Sequence, residues 1–336
     1  MRAIVYRETG PSSVLALVER SVPDPGPGEV RVRLVRAGVN PTDWKNRSGA
    51  TSRLPFPEIT PGQDGAGLVD AVGPDVAGLA VGDRVWLYLA QYRRPGGTAA
   101  EYTVVPQQLA VPLPDDASFD LGASLGVPAV TAHRALTSGE VARLASDALA
   151  GQTVLVQGGA GAVGNAAIQL ARWAGATVVA TVSSAQKAAL ATAAGAHHVV
   201  IYREQDAAAA IRERAPHGVD LVVEVAPAVN STLDQAVVKN GGTIAFYAND
   251  GGDQLALSVR STFALNLRYQ GLLLYTLSAE RLAAAAEDVS AAVAAGALRV
   301  GDDAGLPLHR FPLEQTAAAH DAVEHGAVGK VLLDIG

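Results

Sequence analysis

The sequence contains no cysteine, and this absence excludes several classes of protein at once. Without thiols there can be no disulfides, thiolate nucleophiles, iron–sulfur clusters or cysteine-ligated zinc sites. No stretch approaches the roughly 20 uninterrupted apolar residues that cross a membrane. The amino-terminal segment also lacks the basic stretch and long apolar run of a secretory signal. These absences predict a cytoplasmic protein.

Blocks of like charge are missing as well. The net charge is −7, from 33 acidic and 26 basic residues, and it argues against nucleic acid or an anionic membrane as partner. The chain has 336 residues, of which 49% are hydrophobic. Because a single hydrophobic core stops growing at about 250 to 300 residues, this length predicts two domains.

The amino-terminal part of the chain, up to about residue 125, has a β-like pattern. Apolar and charged residues alternate with period two in short runs such as 30–35, and similar runs occur at 3–6 and 14–18. Glycine and proline separate these runs. The pattern predicts a small antiparallel, barrel-like domain.

From about residue 126 a different rhythm begins, in which a strand, a glycine-rich turn and a helix repeat. This order is typical of an α/β fold with a parallel sheet and crossover helices. After it the sequence predicts a strand at 271–275, a long helix at 279–294 and a closing strand that ends at Leu333. Strands of the repeat are predicted at 153–157, 177–182, 199–202, 219–225 and 243–247, and helices at 162–174 and 185–194.

The most informative segment is the turn between the strand at 153–157 and the following helix. Gly159, Gly161 and Gly164 form the pattern G-x-G-x-x-G, with Ala160, Ala162 and Val163 between them. Glycines there allow a tight turn, a close approach of the backbone to a pyrophosphate, and close packing of helix on strand. The pattern is weak by itself in a glycine-rich chain, and a purely structural turn is the alternative. Its position between strand and helix favours dinucleotide binding.

The end of the second strand of this unit bears on the choice of cofactor. NAD enzymes usually place an acidic residue there for the ribose hydroxyls. Here the strand runs into Ser183 and Ser184, followed by Lys187, and Tyr202 ends the next strand. Hydroxyl and cationic groups suit a 2′-phosphate, so the pattern favours NADPH. The alternative is that Ser184 only caps a helix and Lys187 is only solvated.

With these motifs the chain resembles the medium-chain dehydrogenase/reductases, and more narrowly the zeta-crystallin type of NADPH:quinone oxidoreductase. The resemblance implies a GroES-like β-rich catalytic domain at 1–125 and 266–336, and a Rossmann NADPH-binding domain at 126–265. Besides the glycine turn, it rests on Gly38-Val39-Asn40-Pro41, Arg47-Ser48-Gly49, Pro61-Gly62-Gln63-Asp64-Gly65-Ala66-Gly67, Val81-Gly82-Asp83-Arg84-Val85 and Gly329-Lys330-Val331.

Zinc-dependent members of this family carry ligands that this sequence lacks. They have a cysteine where this chain has Asn40, and Gly-His-Glu where it has Gly62-Gln63-Asp64. Alcohol dehydrogenation needs the metal to acidify the alcohol, so the resemblance implies no metal and no such activity. A conjugated acceptor needs less help, because the hydride leaves a delocalised anion.

The resemblance also implies which residues contact the cofactor. Asn40 and Thr131 would lie near the nicotinamide, and Ser183, Lys187 and Tyr202 would hold the 2′-phosphate. Further residues are expected near the nicotinamide, largely through their backbone, and one basic contact is expected near the carboxyl terminus. These are Tyr247, Ala248, Asn249, Leu274 and Tyr275, with His325 as the basic contact.

The candidate catalytic residues are Lys45 and Asn40. Zeta-crystallin-like enzymes carry tyrosines around the Arg-Ser-Gly motif, where this chain has Lys45 and Thr51. Asp43-Trp44-Lys45 resembles the equivalent stretch of alkenal and oxoene reductases. Lys45 could donate a proton to an enolate oxygen or stabilise it electrostatically. The alternative is a surface lysine paired with Asp43.

The sequence thus predicts an NADPH-dependent reductase that transfers hydride to a quinone or an α,β-unsaturated carbonyl without zinc. One alternative is an enoyl thioester or biosynthetic enone reductase. Another is a structural or regulatory protein that binds NADPH without turnover. The apolar strand at 269–275 lies where relatives pair edge to edge, so a homodimer is expected.

Overall fold

A computed structural model describes residues 1–50 and 54–336, so Thr51 lies outside the described residues. The chain forms two compact units. The first comprises Met1–Val127 and Leu308–Gly336, and the second comprises Pro128–Pro307. The second unit therefore extends 42 residues beyond the boundary at 265 that was expected from the sequence.

The strands and the helices are each numbered in chain order. The strands are β1 (Arg2–Val5), β2 (Ala16–Glu19), β3 (Glu29–Val39), β4 (Asp64–Val72), β5 (Arg84–Leu87), β6 (Tyr102–Pro106), β7 (Ala110–Pro112), β8 (Thr153–Gln157), β9 (Thr177–Val182), β10 (His198–Ile201), β11 (Val219–Glu224), β12 (Val238–Phe246), β13 (Arg268–Gly271), β14 (Leu308–Pro312) and β15 (Lys330–Asp334). The helices are α1 (Pro41–Ser48), α2 (Phe119–Leu136), α3 (Ala162–Trp173), α4 (Ala185–Ala193), α5 (Ala207–Arg214), α6 (Pro227–Val237), α7 (Val259–Ala264), α8 (Ala279–Ala294) and α9 (Thr316–Glu324).

The first unit is built on a sheet in the order β14-β15-β3-β4-β5-β7, with β6 also paired to β3. All of these pairs are antiparallel except β14 with β15. Val30, Val32 and Leu34 on β3 face its core, and the residues between them are more exposed. This alternation follows from the period-two pattern of the sequence, and the predicted β-rich domain is confirmed.

The second unit contains a six-stranded parallel sheet in the order β10-β9-β8-β11-β12-β13. Numbered from β8, this is the order 3-2-1-4-5-6 of the doubly wound dinucleotide-binding fold. The central strands are buried on both faces, which explains why Leu155, Val179 and Val222 belong to nearly continuous apolar runs. The predicted α/β fold class is confirmed.

Residues 266–307 belong to this second unit for two structural reasons. Strand β13 pairs in parallel with β12, and helix α8 is tied to the unit through Asp288. The Asp288 carboxylate accepts a hydrogen bond of 2.8 Å from His133 on α2 and bonds of 2.6 to 3.0 Å from Arg143. These contacts join segments about 150 positions apart, so no local pattern could have predicted them.

The prediction of a strand at 271–275 was wrong in its position. Strand β13 ends at Gly271, and Leu274–Thr276 forms a short 3-10 helix instead. The amide of Leu272 still donates to the Phe246 carbonyl at 2.9 Å, but Phe246 is the last residue of β12. Beyond that point β13 has no neighbouring strand to pair with. In the described ranges, no helix is both long and apolar enough to cross a membrane.

Candidate cofactor and active site

The turn that follows β8 is held by backbone hydrogen bonds to the neighbouring strand. The amides of Gly158 and Gly159 both donate to the Thr181 carbonyl on β9, each at 3.1 Å. Gly158 has φ +71°, a left-handed conformation that favours glycine. The amide of Gly161 then donates back to Gly158 at 3.0 Å. The result is a tight, pinned turn that leads directly into α3.

The three glycines of the sequence motif have different neighbours. A Cβ on Gly159 would lie 2.9 Å from the Ala180 side chain, so this glycine lets the turn pack against β9. A Cβ on Gly164 would lie 2.3 Å from the Gly158 carbonyl oxygen, so this glycine lets α3 approach the turn. Gly161 is exposed, and the nearest atom to its Cβ would be 3.5 Å away. The protein itself does not need the space at Gly161, which fits the close approach of a pyrophosphate there.

Helix α3 begins at this open side of the turn. Its N-cap, Gly161, has no side chain to accept from the first amides of the helix. Ala162 and Val163 are half-buried, while Ala160 packs inward. The first amides of a helix lack intrahelical acceptors and lie at the positive end of its dipole, which suits an anion. The residues present therefore fit a dinucleotide phosphate.

The carboxyl ends of β9 and β10 bring the predicted 2′-phosphate residues together. Tyr202 follows β10, and its amide donates to Val182 at 3.1 Å, beside half-buried Ser183. Ser184 caps α4 by accepting from the Lys187 amide at 3.4 Å, as the structural alternative predicted. This cap uses the backbone amide of Lys187, so the side-chain ammonium of Lys187 takes no part in it. Backbone bonds therefore place Ser183, Ser184 and Tyr202 at one edge of the sheet, at the start of the helix that carries Lys187.

Residues predicted near the nicotinamide lie at the ends of β12 and β13. Tyr247 follows β12, and its amide donates to the Glu224 carbonyl at 3.1 Å. Burial raises the pKa of the Tyr247 phenol, and the nearby Glu224 charge adds to that rise. Ala248 comes next, while Leu274 and Tyr275 lie in the 3-10 helix after β13. Ligands of open α/β sheets bind outside these carboxyl ends, so the placement suits the predicted role.

The other two predicted cofactor contacts are Thr131 in the second unit and His325 in the first unit. Thr131 is buried on α2 within the second unit. His325 is exposed at the end of α9 in the first unit, where its Nδ1 lies 2.7 Å from the Asp321 carbonyl oxygen. The cofactor roles assigned to both stay predictions.

Asn40 is the centre of a buried polar cluster in the first unit. Its Nδ2 donates to Asp64 Oδ2 at 2.7 Å, and its Oδ1 accepts from Lys330 Nζ at 2.7 Å. Lys330 also lies 3.3 Å from Asp64 Oδ2. The Asn40 amide donates to Asp43 Oδ2 at 2.7 Å and so fixes the start of α1. Every polar atom of the Asn40 side chain therefore has a partner within the unit.

Burial of this cluster shifts its titrations. Burial raises the pKa of the Asp64 carboxyl, although Lys330 opposes the rise. Burial likewise lowers the pKa of the Lys330 ammonium, against the attraction of Asp64. For Asp43, burial raises the pKa to about 7. The ion pair thus offsets part of the cost of burying its own charges.

The cluster occupies the positions at which zinc-dependent relatives hold their metal, and it does not fit zinc. Asn40 and Gln63 provide carboxamides there, and Gln63 donates to Gln91 at 2.9 Å. The Asp64 carboxylate is already engaged by the Lys330 ammonium, whose positive charge would repel a second cation. Thiolate and imidazole, the groups that zinc prefers, are absent from these positions.

Lys45 lies half-buried on α1, with its Nζ 5.8 Å from the centre of the Trp44 ring. Asp43 bonds to the Asn40 amide, and no ion pair with Lys45 occurs among the residues that the structure describes. The surface pair offered as an alternative is therefore not formed.

Several residues around the glycine turn were missed by the sequence analysis. Gly158 enables the turn but lies outside the G-x-G-x-x-G pattern. Four buried polar residues, Gln157, Thr181, Glu224 and Asp234, lie beneath it. The available signal was weak: Gln157 and Glu224 are polar residues at the ends of apolar strands.

A Rossmann sheet with this glycine turn, joined to a GroES-like β domain, defines the class of two-domain dinucleotide-dependent oxidoreductases. Residues 26–115 match the family model "Alcohol dehydrogenase GroES-like domain", and residues 162–292 match "Zinc-binding dehydrogenase". The chain belongs to the medium-chain dehydrogenase/reductases, in the group of the quinone oxidoreductases. The resemblance inferred from its motifs is thereby confirmed.

Individual relatives match over nearly the whole chain. Quinone oxidoreductase of Lama guanicoe is 33% identical, and the human one is 32% identical, each over 99% of this chain and 97% of the relative. Among solved structures, an NAD-dependent alcohol dehydrogenase has a TM-score of 0.86 at 32% identity. A mycobacterial protein complexed with NADPH has a TM-score of 0.83 at 31% identity. Both structures cover 100% of each chain.

Proposed function

We propose that this protein is an NADPH-dependent reductase of quinones or α,β-unsaturated carbonyls that works without zinc. The observation that carries the proposal is the pinned glycine turn with open space at Gly161. It is supported by the absence of an acidic residue at the end of β9. Full-length similarity to quinone oxidoreductases supports the substrate class.

The second unit would hold the cofactor along the carboxyl edge of its sheet. The amides at Gly161, Ala162 and Val163 would bind the pyrophosphate. Ser183, Lys187 and Tyr202 would hold the 2′-phosphate by hydrogen bonds and positive charge. When bound, NADPH would supply a hydride to the conjugated acceptor.

In the first unit, Lys45 is the candidate residue for stabilising or protonating the negative charge that forms on the substrate. Reduction of an enone or quinone places negative charge on the acceptor oxygen, and a fixed ammonium stabilises that charge or donates a proton to it. Asn40 is the N-cap of the same helix, and its side-chain carboxamide is held by Asp64 and Lys330. Its place at the nicotinamide end stays a prediction. Zinc independence is supported by the donor set, since the carboxamides and the ammonium do not suit the metal.

The homodimer and the cytoplasmic location also stay predictions. Strand β13 is the last strand of the parallel sheet, so its outer edge is available for pairing with a second copy. Edge-to-edge pairing across a two-fold axis would then give a dimer, with a mass of twice 34.3 kDa by sedimentation.

Two glycine variants test whether the turn binds the cofactor. Gly161→Ala fills space that the protein itself does not use, so NADPH affinity should fall about tenfold or more, with the free energy of unfolding changed by less than about 0.5 kcal/mol. Gly164→Ala is the matched control, because its Cβ would collide with the Gly158 carbonyl. It should destabilise the fold by about 1 to 3 kcal/mol. Unchanged NADPH affinity in Gly161→Ala would contradict the proposed site.

Turnover separates the candidate functions. NADPH and NADH are titrated by fluorescence, and oxidation is followed with a panel of quinones, enones and enoyl thioesters. Lys187→Ala should weaken NADPH binding and leave NADH binding nearly unchanged. Oxidation with thioesters alone would favour an enoyl thioester reductase. Binding without oxidation of NADPH by any acceptor would favour a structural or regulatory protein.

A further inference from the structure

A chain of buried polar groups runs from the glycine turn into the interior of the second unit. Gln157 ends β8, Thr181 lies on β9, Glu224 ends β11 and Asp234 lies on α6. Each of these four residues is at most 2% exposed. Polar side chains so deeply buried normally have complete sets of hydrogen-bond partners.

Consecutive hydrogen bonds connect the turn with Asp234. The Thr181 carbonyl accepts from both Gly158 and Gly159, and its hydroxyl donates to Gln157 Oε1. Gln157 Nε2 then donates to Asp234 Oδ1 at 2.9 Å. The conformation of the turn is therefore linked to the position of one carboxyl group on α6.

The second carboxyl group at this place is that of Glu224. Its Oε1 accepts from the Ala226 amide and from Asn230 Nδ2, the latter at 3.1 Å. The Asp234 carboxyl lies close enough to Glu224 for the negative charge of Glu224 to raise the pKa of Asp234. The remaining oxygens, Glu224 Oε2 and Asp234 Oδ2, are buried and have no hydrogen-bond partner among the described residues. One proton between these two oxygens would satisfy both.

No cation neutralises the pair. Neither carboxyl group forms an ion pair in the part of the chain that the structure describes, and Lys239, from the adjacent strand, pairs with Asp220 instead. The titratable groups that otherwise face the pair are the phenols of Tyr247 and Tyr269, which are neutral at ordinary pH. Burial, together with the Glu224 charge, raises the pKa of Asp234 well above its usual range. Two carboxylates in such surroundings cannot both be ionised.

We infer that Glu224 and Asp234 share a single proton, and that this proton holds Gln157, Thr181 and the glycine turn in the geometry that binds the pyrophosphate. The four side chains are positioning residues, since none of them needs to contact the cofactor. The inference rests on the proposed function, in which the ligand of the turn is NADPH.

Loss of the proton to solvent would have two effects. Two adjacent carboxylates would repel each other across the contact between β11 and α6, which would disturb the acceptor of Gln157. The additional negative charge, just behind the turn, would also repel the pyrophosphate. NADPH affinity should therefore fall as the pair ionises, by about tenfold per pH unit above the pKa of the pair.

The test uses a variant that keeps the hydrogen bonds and removes the titratable proton. In Asp234→Asn the carboxamide oxygen can still accept from Gln157, and its NH₂ can donate permanently to Glu224. The Kd for NADPH is measured for wild type and variant from about pH 6 to about pH 9.5. The substitution leaves every other titratable group in place, so the difference between the two profiles is diagnostic.

Wild type should lose more affinity than Asp234→Asn toward the alkaline end of this range, by up to about tenfold for each pH unit above the pKa of the pair. Glu213→Gln is the matched control, because Glu213 is 68% exposed on α5 and its profile should follow wild type. Parallel profiles for wild type and Asp234→Asn would overturn the inference.

A second measurement needs no cofactor. Native Asp234 keeps its proton at pH values where the unfolded chain has lost it, so wild-type stability falls as pH rises from about 4 through the raised pKa. Asp234→Asn lacks this dependence, so the Tm of wild type minus that of the variant should decrease with rising pH. A constant Tm difference would refute the shared proton. A decreasing difference in a protein that fails to bind NADPH would refute the proposed function and leave the shared proton supported.

Discussion

Each of the two units buries a polar cluster, and the two clusters compensate their negative charge in different ways. In the first unit, Asp64 is compensated by the Lys330 ammonium and by the Asn40 amide. In the second, the donors to Glu224 and Asp234 among the described residues are neutral, and the proposed shared proton takes the place of a cation.

Strand pairing explains the difference. Lys330 begins β15, which pairs with β3 so that Val331 lies opposite Val39, and this register places the ammonium beside Asn40. Among the described residues, Glu224 accepts from the Ala226 backbone amide and from Asn230, and Asp234 accepts from Gln157. An ion pair resists changes of pH but carries a large desolvation cost, whereas a shared proton can be lost to solvent. The carboxyl pair that can lose a shared proton is therefore the one linked to the cofactor turn.

Removing the cation of the first cluster should have the largest effect. Lys330→Met leaves Asp64 buried without its counter-charge, and the free energy of unfolding should fall by about 3 to 5 kcal/mol. Denaturant unfolding measures the change. Lys330→Met combined with Asp64→Asn is the control and should recover part of the loss. If the single variant lost less than about 1 kcal/mol, the ion pair would not be the stabilising element.

Removing a carboxyl group from the second cluster should cost less, because the pair as a whole already carries a proton. Asp234→Leu leaves Gln157 Nε2 without its acceptor, and the expected loss is about 1 to 3 kcal/mol. Asp234→Asn is the control and should lose less. A loss equal to that of Lys330→Met would show that the two clusters do not differ in the way described.

A pH dependence of stability is also expected within the first cluster. Burial raises the pKa of Asp43 to about 7, so the native state binds a proton there that the unfolded chain has lost. Stability should therefore fall as pH rises between about 4 and about 7, with a slope of about 1.4 kcal/mol per pH unit from this group.

Asp43→Asn can still accept from the Asn40 amide, and it should remove that slope. Unfolding measured at several pH values in this window provides the check. An unchanged slope in the variant would assign the dependence to other groups and leave the first cluster insensitive to pH.

Local patterns predicted much of the fold. Strands β8 and β9 and helix α8 have the bounds expected from the sequence, because their apolar periodicity and flanking turn residues are local signals. The glycine turn was predicted for the same reason. The end of β13 and the boundary at Pro307 were not, since both depend on pairing and packing with distant segments.

In the candidate site, too, some features were predicted from local motifs and others depend on distant segments. Lys45 was recognised from its motif. The hydrogen bond from the Asn40 backbone amide to the Asp43 carboxylate was visible only in the structure. Asn40 was assigned to the nicotinamide end, and the structure shows its side-chain carboxamide bonded to Asp64 and Lys330 of its own unit.

The sequence by itself determined the dinucleotide-binding turn, the two kinds of domain and the absence of thiolate and imidazole ligands from the positions of the zinc site. Only the tertiary structure decided which buried charges meet. Asn40 and Lys330 are 290 positions apart, and Gln157 and Asp234 are 77 apart. The physical reason is that turns and apolar periodicity act over a few residues. Compensation of a buried charge depends instead on which side chains strand order and register bring within hydrogen-bond distance.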